Sequence, residues 1–184
     1  RVLFRSQKVV FSDYRYSPYQ MCHMYNCVDA VALVSSNEGW GLSLTEGMMC
    51  GKPIIGNVTG GMQDQMRFED ENGKWFTPSP EVPSNNRGTY KKHGEWVFPV
   101  YPSTRTLVGS PPTPYIWDDI CKPEDAADRI KEVYNMSKEE RVKRGLKGRE
   151  WATGDEAGFT SYHQAERIME AFNELFKTWK PREK

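Results

Sequence analysis

The chain is predicted to be an α/β protein built on a doubly wound parallel sheet, on three observations. Two short apolar runs, residues 30–34 and 53–55, lack polar alternation, the pattern of strands buried on both faces. Between them lies an apolar helix, and two strand-loop-helix units in succession call for right-handed crossovers. The length of 184 residues allows one domain burying roughly 70% of its unfolded surface and is too short for two of ordinary size.

Taken in order, residues 8–11 are a short β-prone run. Ser17-Pro18 starts a helix over residues 18–27, with serine as cap and proline at the first helical position. Asp29 ends it and the strand over 30–34 follows. Ser35-Ser36 closes that strand, the glycine-flanked Trp40 makes a turn, and a helix runs from about Leu42 to Gly51, whose backbone suits the position after a helix end. The next strand opens at Pro53 and ends at Gly60-Gly61, before a short helix through Gln65. Over residues 77–117 prolines, glycines and isolated aromatics break any period, which predicts a long irregular insertion holding at most a strand over 95–100. Acidic residues 124 and 125 open a helix at Pro123, and Ser137 with Glu140 forms a capping box for the next. A last helix, about 160–179, carries an apolar stripe of Ile168, Met169, Phe172, Leu175, Phe176 and Trp179.

Composition narrows the partners. Lys+Arg and Asp+Glu are 25 each, so no global basic field points to nucleic acid or an anionic membrane. Four cysteines at irregular spacing do not form a secreted disulfide framework, and a reducing, cytoplasmic setting is expected. Cys22, His23 and Cys27 have no second Cys/His pair at zinc spacing, so no metal site is expected. Asp118-Asp119 reads as a solvated loop. No apolar run approaches the about 18 residues of a membrane span, and no signal peptide pattern is present.

The chemistry concentrates in SSNEGWGLSLTEGMMCGKPII, where Glu38 and Glu46 are separated by seven residues. A helix N-terminus after a strand offers unpaired N–H groups and the positive end of a dipole, a place for a diphosphate. Glu46, expected in the helix's first turn, would accept hydrogen bonds from ribose hydroxyls, and Glu38, before the turn, would meet a transferred sugar. Gly39 and Gly41 allow close backbone approach, and Trp40 either covers the sugar or packs. Two glutamates that merely cap a turn and complement a dipole would have the same spacing.

EGWGLSLTEGMMCGKPII resembles the E-x7-E signature of retaining glycosyltransferases of family 4, the group 1 family. The resemblance extends through residues 20–34, Gly60-Gly61, Asn72-Gly73 and residues 123–151; Gly47, where alanine is usual, and Asp64, where glutamate is frequent, depart from it. It implies a Rossmann-like domain, the C-terminal half of the two-domain GT-B architecture, and transfer of a sugar from a nucleotide diphosphate sugar to an acceptor hydroxyl with retention and without a metal. Glu38 is then the candidate catalytic residue, and Gly39, Trp40, Gly41, Leu42, Ser43, Glu46, Gly60 and Gly61 the candidate donor contacts. It further implies that residues 7–158 form a partial donor domain, lacking a first strand and helix whose Arg and Lys contact the diphosphate. The helix over 159–184 would pack on an acceptor-binding N-terminal half. Residues 1–6, RVLFRS, read either as a translated adapter scar or as a short strand. Two other readings stay open: a nucleotide-sugar-binding remnant without catalysis, and a dinucleotide-dependent oxidoreductase, which the lack of G-x-G-x-x-G disfavours.

Overall fold

Ser17 sets the first helix, α1 (Pro18–Cys27), by a reciprocal cap: the Gln20 amide donates to Ser17 Oγ at 3.3 Å and the Ser17 amide to Gln20 Oε1 at 2.9 Å. The computed structural model describes residues 12–76 and 92–181, so the expected run over 8–11 and the segment 1–6 lie outside the described residues. After α1 come β1 (Val31–Leu33), α2 (Leu42–Met49), β2 (Ile54–Asn57) and a 3-10 helix (Gly60–Gln65). These follow the expected order. Gly51 lies at φ 68° directly after the α2 cap, with its amide on the Met48 carbonyl at 2.8 Å, which turns the chain into β2.

Among the described residues β1, β2 and β3 (Val97–Val100) form one parallel sheet in that order, with Ile54 beside Val31 on one side and Val97 on the other. Successive β2 residues face opposite ways. Ile54 packs in a cluster with Leu44 and Met48 of α2, whereas Ile55 packs with Phe98, Val100 and Val133. Val133 belongs to α3 (Pro123–Asn135), which covers β2 and β3 on that face; α2 packs on β1 and β2 from the other, backed by α1 and α4 (Lys138–Thr153). Helices on both faces make the sheet doubly wound. At Gly47 a Cβ would stand 2.7 Å from Val31 Cγ2, so the close seat of α2 on β1 accounts for glycine there.

Two expectations need correction. The strand over 30–34 is three residues long, and Ala32 and Val34 are exposed, because β1 is an edge of the described sheet and α3 covers its neighbours instead. The stretch expected to be irregular over 77–117 is regular from Val97 onward. Residues 77–91 lie outside the described residues, but β3 completes the parallel sheet and β4 (Thr104–Ser110) pairs antiparallel with β5 (Thr113–Ile120) as a hairpin. Pro99 sits inside β3 without breaking it, since β3 is the other described edge and one of its sides needs no ladder donor.

The last helix, α5 (Ser161–Thr178), is capped by Thr160 and tied down at its start, where Arg167 donates to the Gly158 and Ala157 carbonyls at 3.1 and 2.9 Å. No residue of α5 is buried, and its apolar stripe faces solvent. No helix among the described residues is long and apolar enough to cross a membrane.

Candidate functional site

The carboxyl ends of β1, β2 and β3 gather the loops 34–41, 58–61 and 101–103 at one edge of the sheet, where open α/β sheets take their ligands. Gly41 is the N-cap of α2. It lies at φ 82°, ψ 61°, and no side chain caps the helix, so the amides that open it have no side-chain partner at the N-cap. A Cβ at Gly41 would sit 2.8 Å from Met62 Cγ and 3.0 Å from Leu33 Cδ2. Glycine is required there by the fold. Gly39 differs: a Cβ built on it meets no atom within 4 Å, so this glycine borders open space.

Gly60 and Gly61 press on this turn from behind. The Gly61 amide donates to the Glu38 carbonyl at 3.2 Å, and a Cβ at Gly61 would stand 2.2 Å from the Gly39 oxygen and 2.8 Å from Trp40 Cα. The glycine pair thus has a packing role, fixing the backbone of residues 38–40. Gln65, fully buried, holds the same turn: its side-chain amide nitrogen, Nε2, donates to the Trp40 carbonyl at 2.5 Å and the Gly41 carbonyl at 3.3 Å, while its Oε1 accepts from Thr45 Oγ1 at 2.7 Å. Trp40 packs; its indole N–H donates to Thr45 Oγ1 at 2.8 Å and its ring meets Phe159 edge-on at 5.1 Å.

Glu38, Gly39, Trp40, Gly41, Leu42 and Ser43 therefore line the start of α2, with Gly60 and Gly61 behind. Glu46 is elsewhere. It is the fifth residue of α2, in the second turn, and the first turn holds no acidic residue, so the expected complement to the helix dipole is not made by this glutamate. Its Oε2 instead accepts a hydrogen bond from the Tyr25 hydroxyl at 2.7 Å.

The other rim of the site is the β4–β5 hairpin. Asn57, fully buried at the end of β2, donates from Nδ2 to the Ser35 carbonyl at 3.0 Å and the Asp119 carbonyl at 2.8 Å, and the Asp119 amide donates to the Ser36 carbonyl at 2.9 Å. Asp119 is 2% exposed, not part of a solvated loop. Its carboxylate accepts from Arg105 Nε at 2.7 Å and Nη2 at 3.1 Å and from Thr59 Oγ1 at 2.8 Å. Burial also pushes the Asp64 carboxyl of the 3-10 helix above its ordinary range. Sequence reasoning missed Tyr25, Asn57, Thr59, Gln65, Arg105 and Asp119. Only Asn57 left a signal, a polar residue closing an otherwise apolar strand.

Residues 5–84 match the model of the family Glycosyl transferases group 1, a span that includes α1, β1, α2, β2 and the 3-10 helix. The match supports a glycosyl transfer function. A search of curated proteins finds no match.

Proposed function

We propose that this chain is the donor-binding domain of a retaining glycosyltransferase that uses a nucleoside diphosphate sugar. The observation that carries this reading is the uncapped N-terminus of α2 beside the open side of Gly39, at the carboxyl edge of the parallel sheet. The diphosphate takes the Leu42 and Ser43 amides as donors, where the dipole also favours its charge. Glu38, directly before the glycine turn, faces the sugar. Glu46 accepts from the ribose hydroxyls through Oε1, while Tyr25 occupies Oε2 and sets the plane of the carboxylate.

In the transfer, the bond from the anomeric carbon to the diphosphate breaks and a bond to the acceptor hydroxyl oxygen forms on the same face. The hydroxyl proton leaves toward the departing diphosphate. Stabilising that leaving group falls to the oriented amides of α2, whose position is over-determined by Gln65, Gly60 and Gly61.

Calorimetric titration with uridine, guanosine and adenosine diphosphates and with NAD tests the reading. Binding of at least one nucleoside diphosphate, weakened about tenfold or more in Glu46→Ala by loss of a charge-assisted hydrogen bond, is expected. Binding of NAD with no response to any nucleoside diphosphate overturns it.

A further inference from the structure

The β4–β5 hairpin carries more than the anchor at Asp119. Two hydrogen bonds lay β5 along the segment that leads into Glu38: the Asp119 amide donates to the Ser36 carbonyl at 2.9 Å, and Asn37 Nδ2 donates to the Trp117 carbonyl at 3.2 Å. Trp117 is thereby a neighbour of Asn37, the residue before Glu38. Residues two apart on a strand share a face, so Trp117 lies on the side of Asp119, whose carboxylate reaches Thr59 Oγ1 at the carboxyl edge of the sheet. Leu107 stands opposite Trp117 as Arg105 stands opposite Asp119.

The two ends of this face differ. Asp119 is buried and, with Arg105 and Thr59, closes the base of the hairpin. Trp117 and Leu107 are 55% and 49% exposed. Beside Leu107 opens a hollow of about 440 Å³, lined also by Val108, Gly109, Ser110, Pro111 and Tyr115, a volume within the range of small-molecule sites. Tyr115 is exposed and held at φ 60°, a strained backbone for a bulky residue and of the kind that clusters at binding sites. An indole ring offers a negative face, against which the C–H bonds on one side of a pyranose ring present their positive ends. The sugar hydroxyls are then left free at the ring's edge.

We infer that Trp117, with Leu107 beside it, is a stacking platform for the acceptor, and that the acceptor is a carbohydrate presenting a pyranose ring. The inference rests on the donor reading above, which sets an order: ribose at Glu46, diphosphate at the start of α2, transferred sugar at Glu38. Trp117, hydrogen-bonded to Asn37, comes next in that order, at the end away from the nucleotide. A ring stacked on the indole holds an edge hydroxyl toward Glu38, where the anomeric carbon is attacked. The platform binds and orients; it takes part in no bond change.

The test follows the indole N–H signals of the full chain by NMR during titration with the methyl glycosides of glucose, mannose and galactose, with and without the nucleoside diphosphates. The chain has six tryptophans, and the Trp117 signal is the one missing from Trp117→Phe. At least one glycoside is expected to move that signal. Trp117→Ala should raise the Kd of that glycoside about fivefold or more, Trp117→Phe, which keeps a ring, should raise it less, and calorimetry should give both variants the nucleoside diphosphate affinity of the wild type. Because Trp117 is more than half exposed, neither variant removes a core side chain. The inference is overturned if no glycoside moves the Trp117 signal, or if Trp117→Ala binds the glycoside as the wild type does. It is overturned equally if Trp117→Ala loses affinity for a nucleoside diphosphate, or only for UDP-glucose or GDP-mannose, since the indole would then serve the donor. Failure of the donor reading is seen elsewhere, as a wild type that binds no nucleoside diphosphate in the calorimetry.

Discussion

The Tyr25 hydroxyl donates to Glu46 Oε2 at 2.7 Å, so the second glutamate of the motif is positioned by a helix that precedes the motif in the chain. Tyr25 is 9% exposed, and the contact gives its hydroxyl a proton that is hard to remove. Burial, then the hydrogen bond and charge of Glu46, push its pKa above the ordinary value of 10.0. The folded state holds this proton more tightly than the unfolded chain. Its stabilising contribution is therefore complete below pH 10.0 and is lost as pH rises from there toward the raised folded value. Unfolding free energies from urea titrations between pH 8 and 11 are expected to fall in the alkaline range by no more than about 1.4 kcal/mol per pH unit for this one proton. Tyr25→Phe should fall less steeply over the same range. Equal slopes would remove the contact from the account of stability.

Asp119 joins three segments that are distant in sequence, and its removal should loosen the rim of the site. Asp119→Ala takes away the acceptor for Arg105 and Thr59. Breaking a buried pair costs roughly 3–5 kcal/mol; since the Arg105 side chain is 35% exposed, solvent recovers part of that, and about 2 kcal/mol is expected. Thermal or urea denaturation measures it. A loss below about 0.5 kcal/mol, the level of an ordinary surface substitution, would mean that the hairpin holds its place by other contacts.

The same residue shows where sequence reasoning stops. α1, α2, β2 and the helices after residue 123 were legible because caps, glycines and apolar faces are local signals: Ser17 and Gln20 are three residues apart, and Gly51 follows its helix directly. The β4–β5 hairpin was not legible, because β4 is largely exposed along its length and so shows no apolar alternation, while Pro111, Pro112 and Pro114 suggest breakers. Asp119 looked solvated because the partners that bury it, Arg105 and Thr59, are brought to it only by strand pairing and by the sheet edge. In the site, spacing identified the start of α2 but placed Glu46 one turn too early. The helix starts at Leu42 as expected, so Glu46 falls in its second turn, and the tyrosine it meets comes from α1, 21 residues away in the chain, where no local signal announces it.

The stripe on α5 should govern solution behaviour and not stability. Phe172 and Phe176 stack at 6.2 Å and are 49% and 76% exposed, so replacing both by serine removes no buried contact. The unfolding free energy of Phe172→Ser/Phe176→Ser in urea should shift by no more than about 0.5 kcal/mol, while sedimentation should show less self-association, as expected when an exposed apolar patch is broken. A drop of about 2 kcal/mol or more would place these rings in the folded core.

Gly39 and Gly61, which touch the same turn, should separate folding from ligand binding. At Gly61 a Cβ would lie 2.2 Å from the Gly39 oxygen and 2.8 Å from Trp40 Cα. Both neighbours are backbone and cannot rotate away. Gly61→Ala is therefore expected to lose about 2 kcal/mol or more as the turn is forced off the 3-10 helix. Gly39 has no atom within 4 Å of an added Cβ, and its φ is not in the left-handed region. Gly39→Ala should leave the unfolding free energy within about 0.5 kcal/mol of wild type yet weaken nucleoside diphosphate binding, since the methyl group occupies the space beside the α2 amides. Calorimetry on the folded variant decides the second half. Unchanged affinity in Gly39→Ala would move the ligand away from the mouth of this turn, whatever the outcome at Gly61.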